Sequence, residues 1–141
     1  MEYGPLLACS VVDATQALAD LTAISSQIEA AAVFDESGAL LASTPADDTR
    51  GRALVEGARG LLAAAATVRR EGAPAVVRVE AALSAGSVFV VSEGPLAIVA
   101  ITAPEPTAGL VVYDLRTCLR AVAAPAEKPK RRRKKADDAA S

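Results

Sequence analysis

The sequence predicts an α/β sandwich in which helices cover both faces of a strand-rich centre, in two or three layers. Three segments repeat apolar residues with the period of a helix, five short apolar segments are bounded by turn residues, and their order is α-β-β-α-β-β-β-α. No β-α-β unit carries a glycine-rich phosphate loop, so a nucleotide-binding Rossmann fold is not expected.

The first helix is predicted over about residues 13–27. Its apolar positions recur at helical spacing, at Leu18, Leu21, Ile24 and Ile28. Asp13 or Thr15 is a suitable N-cap, because the side-chain oxygen can accept a hydrogen bond from a free N–H of the first turn. Residues 1–11 precede this pattern and are expected to form a loosely ordered arm.

A β-hairpin is predicted after the first helix. The apolar residues 30–34 and 39–43 flank the sequence Asp35-Glu36-Ser37-Gly38. Asp at the first position and Gly at the fourth position suit a type I turn.

The second helix is predicted over about residues 50–70, with Asp48 or Thr49 as its cap. One stripe is apolar and contains Leu54, Ala58, Leu61, Ala65 and Val68. Another stripe contains only small residues, Ala53, Gly57, Gly60 and Ala64. A glycine inside a helix costs about 1 kcal/mol relative to alanine, so the placement of two glycines suggests a reason for them.

Three strands and a helix complete the pattern. The strands are predicted at residues 76–81, 87–91 and 96–101, and the third helix at about residues 107–123. The apolar stripe of this helix contains Val111, Leu115, Cys118 and Val122.

The strand patterns also predict positions in the sheet. The first, fourth and fifth strands are continuously apolar, which is typical of strands covered on both faces. The third strand alternates and places Arg78 and Glu80 among apolar residues, which is typical of an edge. We therefore expect the first, fourth and fifth strands to be central and the third to lie at an edge.

The amino-acid inventory does not favour an enzyme. The chain has no histidine, so neither a Ser-His-Asp nor a Cys-His arrangement can be assembled. The adjacent carboxylates Asp35-Glu36 and Asp47-Asp48 fall at predicted turns, where we expect them to form turns or caps rather than an acid–base pair. No catalytic residue, cofactor-binding residue or metal ligand is predicted, and no cofactor.

The two cysteines and the hydropathy indicate the compartment. Cys9 and Cys118 lie far apart without a CxxC motif, so we expect two unreactive thiols in a reducing cytoplasm. No segment approaches the roughly 20 apolar residues of a membrane span, because Asp, Glu or Arg interrupts each one. The protein is expected to be soluble and cytoplasmic.

In their order and spacing, these segments resemble the roadblock family, which includes roadblock/dynein light-chain proteins and bacterial regulators of small Ras-like GTPases. The resemblance covers about residues 12–123. It is carried by Leu18-Ala19-Asp20-Leu21, Ala32-Val33-Phe34-Asp35-Glu36-Ser37-Gly38-Ala39-Leu40-Leu41-Ala42-Ser43, Leu96-Ala97-Ile98-Val99-Ala100-Ile101 and Ala108-Gly109-Leu110-Val111.

This resemblance implies a five-stranded antiparallel sheet in the order 2-1-5-4-3, which agrees with the burial argument. It also implies homodimers in which the second helices pair and the third strands meet at the sheet edges. The dimer interface would then contain Ala53, Gly57, Gly60, Ala64, Arg78 and Glu80. A chance scatter of small residues on an exposed helix face of an alanine-rich chain is the alternative.

The function implied by the resemblance is that of a non-enzymatic adaptor or regulator of a Ras-like small GTPase. Such a protein would hold the switch regions of the GTPase and modulate GTP hydrolysis without donating a catalytic residue. Two alternatives remain: a dimerisation module anchored by its tail to nucleic acid or an anionic membrane, and a small-molecule sensor.

The C-terminal tail is strongly basic. Residues 127–141 contain seven basic and three acidic residues, a net charge of +4, whereas residues 1–126 carry −6. We divide the chain into an N-terminal arm (1–11), a roadblock-like domain (12–124) and a disordered tail (125–141). The candidate polyanion contacts are Lys128, Lys130, Arg131, Arg132, Arg133, Lys134 and Lys135. The tail either only solvates the chain, or binds nucleic acid or anionic lipid, or contacts an acidic protein surface such as the chain's own body.

Overall fold

The computed structural model describes the backbone of residues 3–68 and 77–123 and the side chains of residues 13–68 and 77–122. Within these ranges, three helices and five strands follow the predicted order. They are α1 (Tyr3–Ile24), β1 (Ile28–Asp35), β2 (Leu40–Thr44), α2 (Asp48–Ala66), β3 (Arg78–Leu83), β4 (Gly86–Glu93), β5 (Leu96–Thr102) and α3 (Ala108–Ala123).

The strands form one antiparallel sheet in the order β2-β1-β5-β4-β3, as predicted. Five consecutive residues of β1, from Ala30 to Phe34, are buried, because helices cover both faces of this central strand. By contrast, β3 has no buried residue and lies at the edge. The contrast between continuous and alternating apolar patterns therefore predicted the positions of the strands correctly.

Two apolar clusters place the helices in three layers. The larger cluster joins α1 and α3 to one face of the sheet and includes Leu18, Leu21, Val33, Phe89, Ile98, Val111, Leu115 and Leu119. The smaller cluster joins α2 to the opposite face and includes Ala32, Phe34, Val55, Ala58, Val90, Ala97 and Val99. The predicted sandwich with helices on both faces is confirmed.

The first helix differs from its prediction at both ends. It begins at Tyr3, inside the segment expected to be a loose arm, so Asp13 and Thr15 lie within α1 and do not cap it. Pro5 falls in the first turn, where its missing N–H interrupts no helical hydrogen bond. The helix ends at Ile24 rather than near residue 27, because Ile28 already pairs with Thr102 of β5.

The second helix also differs at its ends. Its N-cap is Asp47, whose Oδ1 accepts a hydrogen bond from Arg50 N at 3.2 Å, and not Asp48 or Thr49. The helix ends at Ala66, because Thr67 N and Val68 N bond three residues back, to Ala64 O and Ala65 O, and tighten the last turn. The remainder of the predicted helix lies in residues 69–76, outside the described residues.

The N-terminal residues 1–2 and the C-terminal residues 124–141 also lie outside the described ranges. The seven basic tail positions predicted to contact a polyanion, residues 128 and 130–135, therefore lie outside the described residues. In the part of the chain that is described, no helix is long and apolar enough to cross a membrane.

Candidate interaction surface

The inner face of α2 packs on the sheet through aliphatic residues. Val55 and Ala58 are buried, while Leu54, Leu61 and Leu62 are partly buried against the same cluster. This stripe accounts for the attachment of α2 to the sheet and leaves the opposite side of the helix free of internal contacts.

The outer face of α2 is built from small residues. Ala53, Gly57, Gly60 and Ala64 are all exposed, and they recur at four-, three- and four-residue steps along one side of the helix. A Cβ added at Gly57 or Gly60 would meet no atom of the described residues within 4 Å. We call these four residues the small-residue face.

Among the residues that the structure describes, no neighbour explains the small-residue face. Gly51, in the first turns of the same helix, has one: a Cβ there would lie 2.9 Å from Leu40 Cδ2 and 3.0 Å from Ser43 Cβ, so glycine permits close approach to β2. No such neighbour exists for Gly57 or Gly60. The helix therefore carries two destabilising residues, each costing about 1 kcal/mol, without any internal packing that requires them.

The predicted interface residues on β3 lie at the edge of the sheet. Arg78 and Glu80 are exposed and pair with Val91 and Phe89 of β4. Because Val91 and Phe89 belong to the cluster beneath α1 and α3, Arg78 and Glu80 lie on that face of the sheet.

The α2 and β3 parts of the predicted interface are therefore on different faces. Val79, between Arg78 and Glu80, packs against the α2 cluster instead. The small-residue face and the two charged side chains do not form one flat patch. They are joined by the outer edge of β3, whose outward-facing backbone groups have no neighbouring strand in the described sheet.

A cleft lies at one end of the α2 layer, between the β1–β2 turn and the β4–β5 turn. It measures about 210 Å³, and its lining includes Phe34, Asp35, Glu36, Arg59, Leu62 and Pro95. The guanidinium of Arg59 lies over Gly38, where a Cβ would be 2.7 Å from Arg59 Cζ. Ligand pockets for small molecules usually measure about 300–1,000 Å³, so this cleft does not favour the small-molecule sensor.

One carboxylate of each acidic pair has a structural task, as the sequence predicted for carboxylates at turns. Asp47 caps α2, and Asp35 organises the β1–β2 turn. Its Oδ1 accepts hydrogen bonds from Ser37 N at 2.9 Å, Ser37 Oγ at 2.7 Å and Ala39 N at 3.0 Å. The described residues contain no group of three or more potential metal-binding side chains.

These hydrogen bonds also set the acidity of Asp35. Partial burial by itself would raise the pKa of this carboxyl. The hydrogen bonds from the Ser37 side chain and from the backbone of Ala39, Ser37 and Gly38 together outweigh burial and hold the pKa below its usual value.

A second groove lies between α1 and α3, on the opposite side of the sheet from α2. It measures about 130 Å³ and is lined by Ala17, Asp20, Leu21, Ile24, Asp114, Thr117, Cys118 and Ala121. Cys118 is a free, buried thiol. Burial, with a smaller contribution from the Asp20 carboxylate, raises the pKa of this thiol to about 12.

This groove was not predicted from the sequence. A sequence signal for a buried carboxylate was present, because Asp114 follows Val111 by three residues and precedes Cys118 by four, which places it on the apolar stripe of α3. An acidic residue on such a stripe is buried when the helix packs, and Asp114 is only 8% exposed.

Comparison with known proteins identifies the fold. Neither protein-family models nor curated protein sequences match this chain. A Roadblock/LC7 domain from Streptomyces avermitilis matches with a TM-score of 0.66 and 17% sequence identity, over 74% of this chain and 89% of that one. The gliding protein MglB of Thermus thermophilus matches with a TM-score of 0.61 and 18% identity, over 84% of this chain and 92% of that one.

A further structure, MglB in a tetrameric arrangement, matches with a TM-score of 0.62 and 17% identity, over 84% of this chain and 91% of that one. The chain therefore has the roadblock fold, and the resemblance noted in the sequence is confirmed at the level of the fold.

Proposed function

We propose that this chain is a cytoplasmic roadblock-family protein that works as a non-enzymatic homodimer and regulates a Ras-like small GTPase by binding it. The observation that carries the proposal is the small-residue face of α2, an exposed helix surface with two glycines that the protomer itself does not need. The roadblock fold and the likeness to MglB support it.

The small-residue face suits helix pairing. The distance between two packed helices, usually about 8–10 Å, depends on the side chains at the contact. Glycine and alanine let the backbones approach to the short end of this range. In a two-fold dimer each protomer contributes the same surface, so one such face is sufficient for both sides of the contact.

The edge of β3 suits strand pairing in the same dimer. If two β3 strands pair antiparallel about Val79, Arg78 of one protomer lies opposite Glu80 of its partner, and the reverse pair forms by symmetry. Both side chains project from the same face of the strand, so the opposite charges are adjacent. Such cross-strand pairs contribute roughly 0.2–1 kcal/mol each.

Regulation in this proposal depends on binding rather than on a catalytic group donated by this chain. The chain has no histidine, and the carboxylates of Asp35 and Asp47 are engaged in a turn and a helix cap. The dimer would act by holding the switch regions of the GTPase and so modulating GTP hydrolysis. If the dimer binds the GTP-bound and GDP-bound forms of the GTPase with different affinities, its binding depends on which nucleotide the GTPase holds.

The test is isothermal titration calorimetry of the full chain against a panel of Ras-like small GTPases, bacterial ones included. Each GTPase is loaded with GDP or with a non-hydrolysable GTP analogue. We expect binding to at least one GTPase, with different affinities for the two nucleotide states.

Matched variants distinguish the loss of an interface from a loss of protein stability. Gly57→Gln with Gly60→Gln adds two long polar side chains to the small-residue face and should weaken both dimerisation and GTPase binding. Gly109→Gln is the control, because a Cβ at Gly109 in α3 also meets nothing within 4 Å. A dimer that binds no GTPase in either nucleotide state contradicts the proposed partner.

A further inference from the structure

The groove between α1 and α3 contains a carboxylate without a partner among the described residues. Asp114 is 8% exposed and lines the groove, yet it makes no hydrogen bond or ion pair with any described residue. The other carboxylate of the groove, Asp20, accepts a hydrogen bond from Gln16 Nε2 at 3.0 Å. The Asp114 oxygens are not among the buried, unpartnered atoms of the described residues, so this carboxylate is open to a cationic partner that enters the groove.

The neighbouring cations of α3 do not satisfy Asp114. Arg120 Nε donates instead to Glu93 Oε2 at 2.9 Å, at the β4–β5 turn. Arg116, the other arginine of α3, makes no ion pair within the described residues. The groove therefore retains the two carboxylates of Asp20 and Asp114 among walls that are mostly apolar, including Ala17, Leu21, Ile24 and Ala121.

The densest group of cations in the chain begins a few residues after α3. α3 ends at Ala123, and the 15 residues 127–141 carry a net charge of +4. An extended chain advances about 3.3 Å per residue, so Lys128 can lie roughly 17 Å from Ala123. Asp114 is nine residues before Ala123, a distance of about 14 Å along a helix. The first basic residues can thus return to the level of Asp114.

We propose that the basic tail of this chain folds back along α3 and docks in the α1–α3 groove, with a lysine or arginine from residues 128–135 paired with Asp114. The apolar walls suit this occupant, because the methylene stem of a lysine or arginine packs on apolar surface while its charged end reaches the carboxylates. The proposal does not depend on the GTPase or on the α2 interface.

Tethering favours the chain's own tail over a separate basic ligand. A covalent link of only a few residues between two contacting groups corresponds to an effective concentration in the millimolar range. At this effective concentration, the pairing of a tail cation with the carboxylates of Asp114 and Asp20 is populated even when its intrinsic affinity is low. In this state the groove and the tail neutralise each other, and the tail is less available to polyanions.

The test is zero-length crosslinking of the full chain with a carbodiimide, followed by peptide mass spectrometry. This reagent joins lysine amines to carboxylates that are in contact. All four lysines of the chain lie in the tail, at residues 128, 130, 134 and 135, so a crosslink to Asp20 or Asp114 reports the tail in the groove. An equal mixture of 15N-labelled and unlabelled protein distinguishes crosslinks within one chain from those between chains.

We expect crosslinks within single chains to Asp114 or Asp20. In Asp114→Asn, where position 114 can no longer be crosslinked, the yield at Asp20 should fall about fivefold, as expected from removing one ion pair. Asp48→Asn, an exposed carboxylate on α2, is the control and should leave the yield unchanged. Crosslinks found only between labelled and unlabelled chains overturn the intramolecular geometry.

A second measurement covers the case that a buried carboxylate escapes the reagent. The backbone amide shifts of Thr117, Cys118 and Ala121 are compared between the full chain and a variant with Arg131, Arg132 and Arg133 changed to Gln. We expect these shifts to change, and the difference to shrink as salt screens the contact. Unchanged groove amides together with an absence of crosslinks overturn the proposal, as does tail contact confined to another surface.

Discussion

Gly57 and Gly60 lie on the same outward face of α2, and a Cβ added to either would lie more than 4 Å from every other atom in the described part of the chain. Both residues therefore weaken the helix without serving the packing of their own protomer. This relationship between two glycines is the structural basis for the proposal of an interaction surface on α2.

The first prediction compares two glycines of the same helix. In the protomer, Gly57→Ala should raise the free energy of unfolding by about 1 kcal/mol, because alanine is the better helix former and has space. Gly51→Ala should lower it by about 1 kcal/mol, because the added methyl crowds Leu40 and Ser43 and such overpacking outweighs the gain in helix propensity.

Urea denaturation of both variants, at concentrations where the protein is monomeric, measures these two changes. Gly109→Ala, on the exposed surface of α3, controls for the addition of a methyl group in open space. A loss of stability in Gly57→Ala under these conditions would show that the small-residue face is already packed within the protomer.

The second prediction concerns the edge of β3. Arg78→Glu alone should weaken dimerisation about tenfold, because two opposite-charge pairs become two like-charge pairs across the two-fold axis. Glu80→Arg should act similarly. The double variant Arg78→Glu with Glu80→Arg restores both pairs and should recover most of the affinity.

Sedimentation equilibrium of the single and double variants measures this coupling. Additive losses in the double variant would show that Arg78 and Glu80 do not face each other between protomers. Their placement would then reflect only the solvation of an exposed edge.

The fold could be predicted from the sequence because its signals are redundant. The apolar run of β1 and the alternation at Arg78 and Glu80 reflect burial on two faces and on one, so they fix which strand is central and which is at the edge. The Asp35–Gly38 turn was predictable for a similar reason, because a local carboxylate can bond the backbone two and four residues ahead.

The helix ends and the α1–α3 groove were harder to predict from the sequence. Several residues near α2 are competent caps, and only the chain path from β2 selects Asp47 over Asp48 and Thr49. The start of α1 at Tyr3 was missed because the chosen cap residues, Asp13 and Thr15, are equally acceptable inside a helix. The exposure of the small-residue face was predictable from periodicity, whereas the unpartnered Asp114 depends on how α1 packs against α3.

The third prediction follows from the lowered pKa of Asp35. A carboxyl with a lower pKa in the folded state stabilises the fold above its unfolded pKa, and this contribution is lost as the pH falls from about 3.8 through the folded pKa. Asp35→Asn keeps a side-chain oxygen for the turn but does not titrate there.

The free energy of unfolding should therefore fall less steeply in Asp35→Asn than in the wild type as the pH falls below about 3.8. Chemical denaturation at a series of pH values measures both slopes, with Asp48→Asn as the control. Equal slopes in the wild type and Asp35→Asn would mean that the turn does not favour the ionised carboxyl.

The fourth prediction concerns Cys118. With its pKa raised to about 12 and its side chain buried, this thiol should be almost entirely protonated at pH 8 and react very slowly with a thiol reagent in the folded protein. In a Cys9→Ser variant, the reaction should become fast only when denaturant unfolds the chain. Rapid labelling of the folded variant would show that the α1–α3 groove opens readily.

Light scattering after size exclusion on the full chain and on the Gly57→Gln/Gly60→Gln variant tests whether the outer face of α2 is the dimer interface. If it is, the full chain should have about twice the chain mass of 14.3 kDa, the double variant a single chain mass, and the Gly109→Gln control the mass of a dimer. A full chain that remains monomeric at high concentration, or a double variant that remains a dimer, would contradict the assignment of the interface to the outer face of α2.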